Sequence, residues 1–321
     1  MSVFELRGAA VLVTGAGGFA GPHAVRALVE RGARVFGTGG PEPRGVPLAG
    51  WFNSDLRDPE SLMTAVAAAR PDAVLHLAGQ SSAARSFEHP TETFHVNALG
   101  TWFVLEALRV HAPRARVLMV TSGEIYGPHA EGTRIAEDGA VRPVSPYGLS
   151  KAAADAFGAI SAERGQEVVR ARSFGHTGPG QEARFVIPSM AGQIADIEAS
   201  KSAPRLAVGN LEVTRDISDV RDVARAYVAL IERGVVGKAY NVCTGIGVRL
   251  TDVIARLATL ARVPVTVEVD PARLRPADVP YLVGDPSAIA RDTGWTCEIS
   301  LEQTLADVLL EARSRATGAA G

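Results

Sequence analysis

Lysine is nearly missing from this chain. Of its 33 basic residues only Lys151, Lys201 and Lys238 are lysines, so a lysine inside a motif is more informative than usual. Cysteine is also scarce. Cys243 and Cys297 are the only two in 321 residues, which excludes a disulfide framework and offers no metal-ligand spacing. No metal site is expected, and a reducing, cytoplasmic setting is. No apolar run reaches the length of a membrane span, and the opening MSVFELRGAAVLVTG enters a strand pattern with no signal-peptide character. A large excess of either charge is absent too: 33 basic residues face 35 acidic ones. That balance argues against a nucleic-acid footprint, which needs a basic face. Solenoid repeats and long low-complexity segments are lacking as well.

What is present is a rhythm. Apolar runs at Ala9–Thr14, Arg34–Thr38, Ala73–Leu77, Arg116–Val120 and Glu167–Ala171 read as strands. Helical patterns lie between them at Gly18–Arg31, Pro59–Arg70, Glu92–His111 and Tyr147–Arg164. Such alternation predicts an α/β fold, a doubly wound parallel sheet covered by helices on both faces. After Arg172 the rhythm breaks into Gly- and Pro-rich stretches, with a helix at Asp219–Arg233 and a strand at Ala239–Val242. Residues 1–174 are expected to bind a dinucleotide. Residues 175–321 are expected to form a smaller mixed α/β substrate lobe, with a return to the main sheet near residues 216–243.

Val11–Gly21 reads VLVTGAGGFAG. Gly15, Gly18 and Gly21 follow a strand and open a helix. The first permits the tight turn, the second admits a pyrophosphate to the backbone, and the third lets helix and sheet pack closely. A glycine-rich turn without a ligand is the plain alternative, but the strand–turn–helix context favours a dinucleotide. The second strand ends in Val35-Phe36-Gly37-Thr38-Gly39-Gly40, without the carboxylate that would bind an NAD ribose. Arg44 follows and can pair with a 2′-phosphate, so NADP(H) is favoured over NAD(H). Asp55 and Leu56, after the next strand, have the type and place to hold adenine.

Ser145–Lys151 reads SPYGLSK. Tyr147 and Lys151 are four apart on one helix face, and Pro146 suits a helix start. An ammonium beside the phenol is expected to lower its proton affinity and fit it for proton transfer, while the lysine also holds the nicotinamide ribose. Upstream, Thr121 or Ser122 at a strand's carboxyl end can bind a substrate oxygen, and Glu124 can act as base or anchor. These three have turn chemistry as their alternative. His76 reads as a core histidine. His176 reads equally as a loop residue or a substrate contact.

Together these segments resemble the extended short-chain dehydrogenase/reductase family, nucleotide-sugar branch, over nearly the whole chain. The motifs are TGAGGFAG (14–21), HLAGQSS (76–82), HVNALGT (95–101), TSGEIYG (121–127), YGLSK (147–151), RSFGHTGPGQ (172–181), VGNLEVTRDISDVRDVARAY (208–227), YNVCTG (240–245) and RPADVPYLVGD (275–285). The resemblance implies a cofactor site of Gly15, Gly18, Phe19, Gly21, Asp55, Leu56, Ala78, Gly79, Asn97, Tyr147 and Lys151. It implies that Ser122, Glu124, Tyr147 and Lys151 are catalytic. It places Gln80, Ser122, His176, Arg215, Arg275 and Asp278 at the substrate, with the two arginines on the diphosphate, as guanidinium forks allow, and Asp278 near the nucleoside ribose.

HTGPGQ and VGNLEVTRDISDVRDV are similar to reductases of GDP-4-keto-6-deoxy-mannose and to GDP-mannose 4,6-dehydratases. The implied reaction is NAD(P)H-dependent reduction of a 4-keto group, giving a GDP-6-deoxyhexose such as GDP-D-rhamnose. The alternatives are a 4,6-dehydratase, which Glu124 keeps open, a 4-epimerase, and a non-catalytic dinucleotide sensor, against which the retained Tyr147 and Lys151 speak. Two departures stand out: Gly175 replaces the family's asparagine, and Gly123 replaces a serine. A homodimer through the helices at 92–111 and 147–164 is implied, with Ala152, Ala153, Ala154 and Ala156 allowing close approach.

Overall fold

The computed structural model describes residues 3–273 and 279–318. The chain begins β1 (Ala10–Thr14), α1 (Ala20–Glu30), β2 (Arg34–Gly39), β3 (Gly50–Asn53), α2 (Pro59–Ala69) and β4 (Ala73–His76). Two short helices, α3 (Ala83–Glu88) and α4 (Pro90–Phe94), precede α5 (Gly100–His111), β5 (Arg116–Ser122), α6 (Pro146–Glu163) and β6 (Val168–Ser173). Next come β7 (Gly175–Thr177), α7 (Val186–Glu198), β8 (Arg205–Val208), β9 (Thr214–Asp219), α8 (Val220–Arg233) and β10 (Ala239–Val242). The chain closes with β11 (Gly247–Arg249), α9 (Leu250–Thr259), β12 (Thr266–Val269), β13 (Tyr281–Leu282), α10 (Ser287–Thr293) and α11 (Leu301–Ala316).

Seven strands form one parallel sheet in the order β10-β6-β5-β4-β1-β2-β3. All four residues of β4 are buried, as an interior parallel strand covered on both faces must be. One face carries α1 and α8, and the other α2, α5 and α6. Helix α8 shows why: Val220, Val223, Ala224, Tyr227 and Ile231 form one buried stripe. Strand order reverses direction between β1 and β4, and the crevice at their carboxyl ends is where such sheets bind ligands.

The second layer is mixed. Strand β9 pairs with β7 and β13 in parallel and with β11 antiparallel, and a two-stranded β8–β12 sheet lies apart. Helices α7, α9 and α11 share a separate apolar core. Of the segment 216–243, β10 joins the main sheet and α8 packs on it, whereas β9 is the centre of the smaller sheet.

The helix expected at 92–111 is a rod from Pro90 to His111 interrupted by a π-helical turn at His95–Leu99. The widened turn is braced by the Thr101 hydroxyl, which donates to the Asn97 carbonyl at 2.6 Å; single π turns often mark functional sites. Helix α6 starts as its sequence dictates. Pro146 is at its first turn and the Ser145 hydroxyl accepts from the Gly148 amide at 3.0 Å. Its middle is fixed by Asp155, which accepts from Arg172 at 2.8 Å and Arg170 at 2.7 Å. Among the described residues no helix is long and apolar enough to cross a membrane.

Candidate active site

The glycine loop is shaped by contacts that forbid side chains. Gly15 has φ +71°, and a Cβ there would stand 2.8 Å from Ala78. A Cβ on Gly21 would collide with the Ala16 carbonyl. At Gly18 the only close neighbour is the Gly15 carbonyl at 3.3 Å, and the outer side is open. The loop therefore presents bare backbone at the start of α1, which is what a pyrophosphate requires. Gly79 completes the approach: a Cβ there would stand 2.8 Å from Asn97 Oδ1 and 3.3 Å from Lys151 Nζ. These residues fit a dinucleotide laid from the loop towards Lys151.

At the end of β2 the Thr38 hydroxyl donates to the Phe52 carbonyl at 2.8 Å, and the strand itself carries no carboxylate. Trp51 covers this end, with ring atoms 2.6 Å from where a Gly37 Cβ would be and its indole donating to the Gly40 carbonyl at 3.0 Å. Arg44 is exposed in the next loop, which reaches the glycine loop where Pro43 lies 3.7 Å from a Gly17 Cβ position. Asp55 is held by Arg57 at 2.6 Å, which lowers its carboxyl to about 2. Leu56 packs against Gly100.

Ser122, Tyr147 and Lys151 are gathered and buried at the end of β5. The Ser122 hydroxyl lies near enough to the Tyr147 phenol to favour its ionised form, and it accepts from the Glu124 amide at 3.2 Å. Gly148 makes this possible, because α6 passes so close that a Cβ there would lie 2.9 Å from the Glu124 carbonyl. Thr121, the other candidate hydroxyl, turns away to Asp155 at 3.3 Å. Lys151 Nζ donates to the Val120 carbonyl at 3.4 Å. Asn97 is fully buried. It bonds the Gln80 amide through Oδ1 at 2.8 Å and donates to Ser150 Oγ at 3.0 Å. Ser150, unremarked in the sequence although it adjoins Lys151, donates in turn to the Tyr147 carbonyl at 2.7 Å.

The electrostatics correct one expectation. Burial raises the Tyr147 phenol above its ordinary value, the Glu124 carboxylate raises it further, and the Ser122 hydroxyl opposes them. Lysine is not what sets it. Burial lowers Lys151 to about 8, so its ammonium is itself disfavoured in this site. The phenol stands protonated, ready to donate.

A cavity of about 620 Å³ opens between α3 and the second layer, lined by His176, Arg184, Ser189, Asn210 and Arg215 among others, with Ser122, Tyr147 and Lys151 outside its lining. His176 stacks on Phe19 with ring centroids 5.8 Å apart and donates from Nδ1 to the Phe174 carbonyl, 3.0 Å away. Arg215 donates to the Val279 carbonyl at 2.6 Å. The Gln80 side chain is folded back onto the Ser82 carbonyl and Thr93. Arg275 and Asp278 lie outside the described residues. Both departures from the family pattern have a steric cause. A Cβ at Gly175 would meet the Asp216 carbonyl at 2.8 Å, and one at Gly123 the Phe174 ring at 2.9 Å.

The profile of the GDP-mannose 4,6 dehydratase family matches residues 12–308. The chain belongs to that family. Within reach of it, a GDP-6-deoxy-D-mannose reductase from Pseudomonas aeruginosa is 39% identical over 263 residues, 81% of this chain and 86% of that protein. Among solved structures, RMD from Pseudomonas aeruginosa complexed with NADPH superposes with a TM-score of 0.82 at 35% identity, covering 95% of this chain and 99% of the other. A Thermus thermophilus UDP-glucose 4-epimerase in complex with NAD gives 0.84 at 31% identity, covering 94% and 98%. The family fold and the parallel sheet expected from the sequence are the same architecture.

Lys151 generates a pH prediction. Its folded value, about 8, lies below the ordinary lysine value of 10.5. Burying the ammonium therefore opposes folding fully below pH 8, and the penalty fades as pH rises towards 10.5. The size is ~3 kcal/mol. Lys151→Met should be more stable than the wild type at pH 6–7 in denaturant unfolding, and the gap should narrow above pH 8 and close near pH 10.5. A gap independent of pH contradicts this.

Proposed function

We propose that this chain is an NAD(P)H-dependent oxidoreductase that reduces the 4-keto group of a GDP-4-keto-6-deoxyhexose, releasing a GDP-6-deoxyhexose such as GDP-D-rhamnose. The observation that carries this reading is the Ser122–Tyr147 pair at the end of β5, a buried phenol kept in its donor form. Reduction of a carbonyl needs such a donor. The likeness to the Pseudomonas aeruginosa reductase supplies the substrate class.

Gly15, Gly18, Gly21, Ala78, Gly79, Asn97 and Lys151 hold the dinucleotide in this reading, Phe19, Asp55 and Leu56 flank it, and residues 175–321 supply most of the sugar-nucleotide site. When bound, the reduced nicotinamide supplies hydride to the keto carbon. Ser122 and Tyr147 bind the keto oxygen, and Tyr147 gives it a proton as charge develops there. Lys151 holds the cofactor ribose. Arg215, with Arg275, neutralises the diphosphate, and His176, Gln80 and Asp278 complete the substrate's surroundings. Purified protein given such a keto sugar should oxidise one NADPH or NADH per product. Tyr147→Phe should lower kcat ~10²- to 10⁴-fold while dinucleotide affinity holds. A keto product formed from GDP-mannose with no net cofactor consumption would move the assignment to the 4,6-dehydratase reading, which Glu124, electrostatically coupled to Tyr147, keeps available.

Arg44 underlies a preference for NADPH. It is exposed in a loop against the glycine turn, and no carboxylate closes β2. Arg44→Ala should raise the NADPH Kd about tenfold and leave NADH unchanged in a fluorescence titration. Equal effects on both cofactors oppose this assignment.

A dimer forms in this reading through α4, α5 and α6. An apolar groove lies there, lined by Phe94, Leu99, Val144 and Leu149, and Leu149 is 53% exposed. Ala154 points inward and is buried, and Ala152 packs on an internal cluster, so of the four alanines Ala153 and Ala156 remain for the contact. Sedimentation at micromolar concentration should give a dimer that Leu149→Glu converts to monomer. A monomeric wild type refutes it.

A further inference from the structure

His76 ends β4, and its ring is bonded to Thr14 on one side and Thr101 on the other. It is 2% exposed. Both ring nitrogens are used: Nδ1 lies 2.7 Å from the Thr14 hydroxyl and Nε2 3.0 Å from the Thr101 hydroxyl. The direction of each bond follows from hydrogen counting. Thr101 gives its one hydroxyl hydrogen to the Asn97 carbonyl, so it accepts from His76, and Nε2 carries the proton. Nδ1 is then the acceptor, and Thr14 donates to it. The Thr14 oxygen is left to accept the Ala78 amide at 3.2 Å. Burial, with Lys151 nearby, holds the imidazole at about 3, so this pattern persists across working pH.

The chain of bonds has two functional ends. Thr14 is the last residue of β1, and Gly15 begins the cofactor loop. Ala78 precedes Gly79, whose approach brings the backbone beside Lys151. At the other end the π turn carries Asn97, which bonds Ser150, which bonds the Tyr147 carbonyl. We propose that His76 is a positioning residue that ties the cofactor loop, through Thr14, to the Asn97 turn and the catalytic helix, through Thr101. A merely structural histidine would affect stability alone. A positioning one divides into two separable arms, one for cofactor binding and one for turnover.

Two substitutions separate them. His76→Asn keeps an acceptor near Nδ1 for Thr14 and loses the donor to Thr101. His76→Gln keeps a donor near Nε2 for Thr101 and loses the acceptor for Thr14. The dinucleotide Kd is read by NADPH fluorescence without substrate, and kcat by reduction of the keto sugar. His76→Asn should keep Kd within about twofold and lower kcat about tenfold. His76→Gln should keep kcat within about twofold and weaken NADPH about tenfold. His76→Phe, which retains neither bond, should lose both. Parallel changes in both parameters, or changes in melting temperature alone, overturn the proposal. The turnover arm rests on the proposed reaction. If the wild type reduces no keto sugar, that reaction fails, while the NADPH comparison of His76→Gln with His76→Asn still decides the role of His76.

Discussion

The centre depends on how α6 is held against the sheet. Asp155 lies one turn beyond Lys151 and two beyond Tyr147, and it receives Arg170 and Arg172 from β6 as well as Thr121 from β5. A carboxylate this deeply buried is tolerable only with such partners, and once paired it leaves the helix little freedom to slide or roll. Arg172 also donates to Tyr126 and to the Glu137 carbonyl, so the clamp extends to the turn that carries Glu124. The Tyr147 phenol is therefore placed by charges two turns away along its own helix and on the neighbouring strand.

The clamp permits an electrostatic arrangement that would be unstable on a looser helix. Tyr147 and Lys151 are both driven towards their neutral forms by burial. A neutral phenol is a proton donor, and a lysine near neutrality adapts its charge to what lies beside it. The site thus gains donor character before any ligand arrives.

Much of this was legible in the sequence. Strand–helix alternation, the glycine spacing and the Tyr147–Lys151 interval are local regularities, and they gave the sheet, the loop and the helix face. Strand β10 was read at its observed limits, Ala239–Val242. What stayed hidden depends on residues distant in the chain. The π turn at His95–Leu99 has no periodicity of its own. The Thr14–His76–Thr101 bonds join residues 62 and 25 positions apart. The steric reasons for Gly123 and Gly175 lie in Phe174 and Asp216, which no spacing rule connects to them. The rise of the Tyr147 phenol was misread because a neighbouring charge is visible in sequence and desolvation is not.

Trp51 has a consequence of another kind. Of the three tryptophans, Trp295 is buried with its indole bonded to the Asp222 carbonyl, and Trp102 rests on Phe157. Trp51 alone borders the end of β2, half-exposed, with its ring edge over bare glycine backbone. Its emission therefore senses the mouth of the dinucleotide cleft, where the other two indoles report on the interior and on the helical flank. The molecule carries an optical probe at its own entrance, without a label.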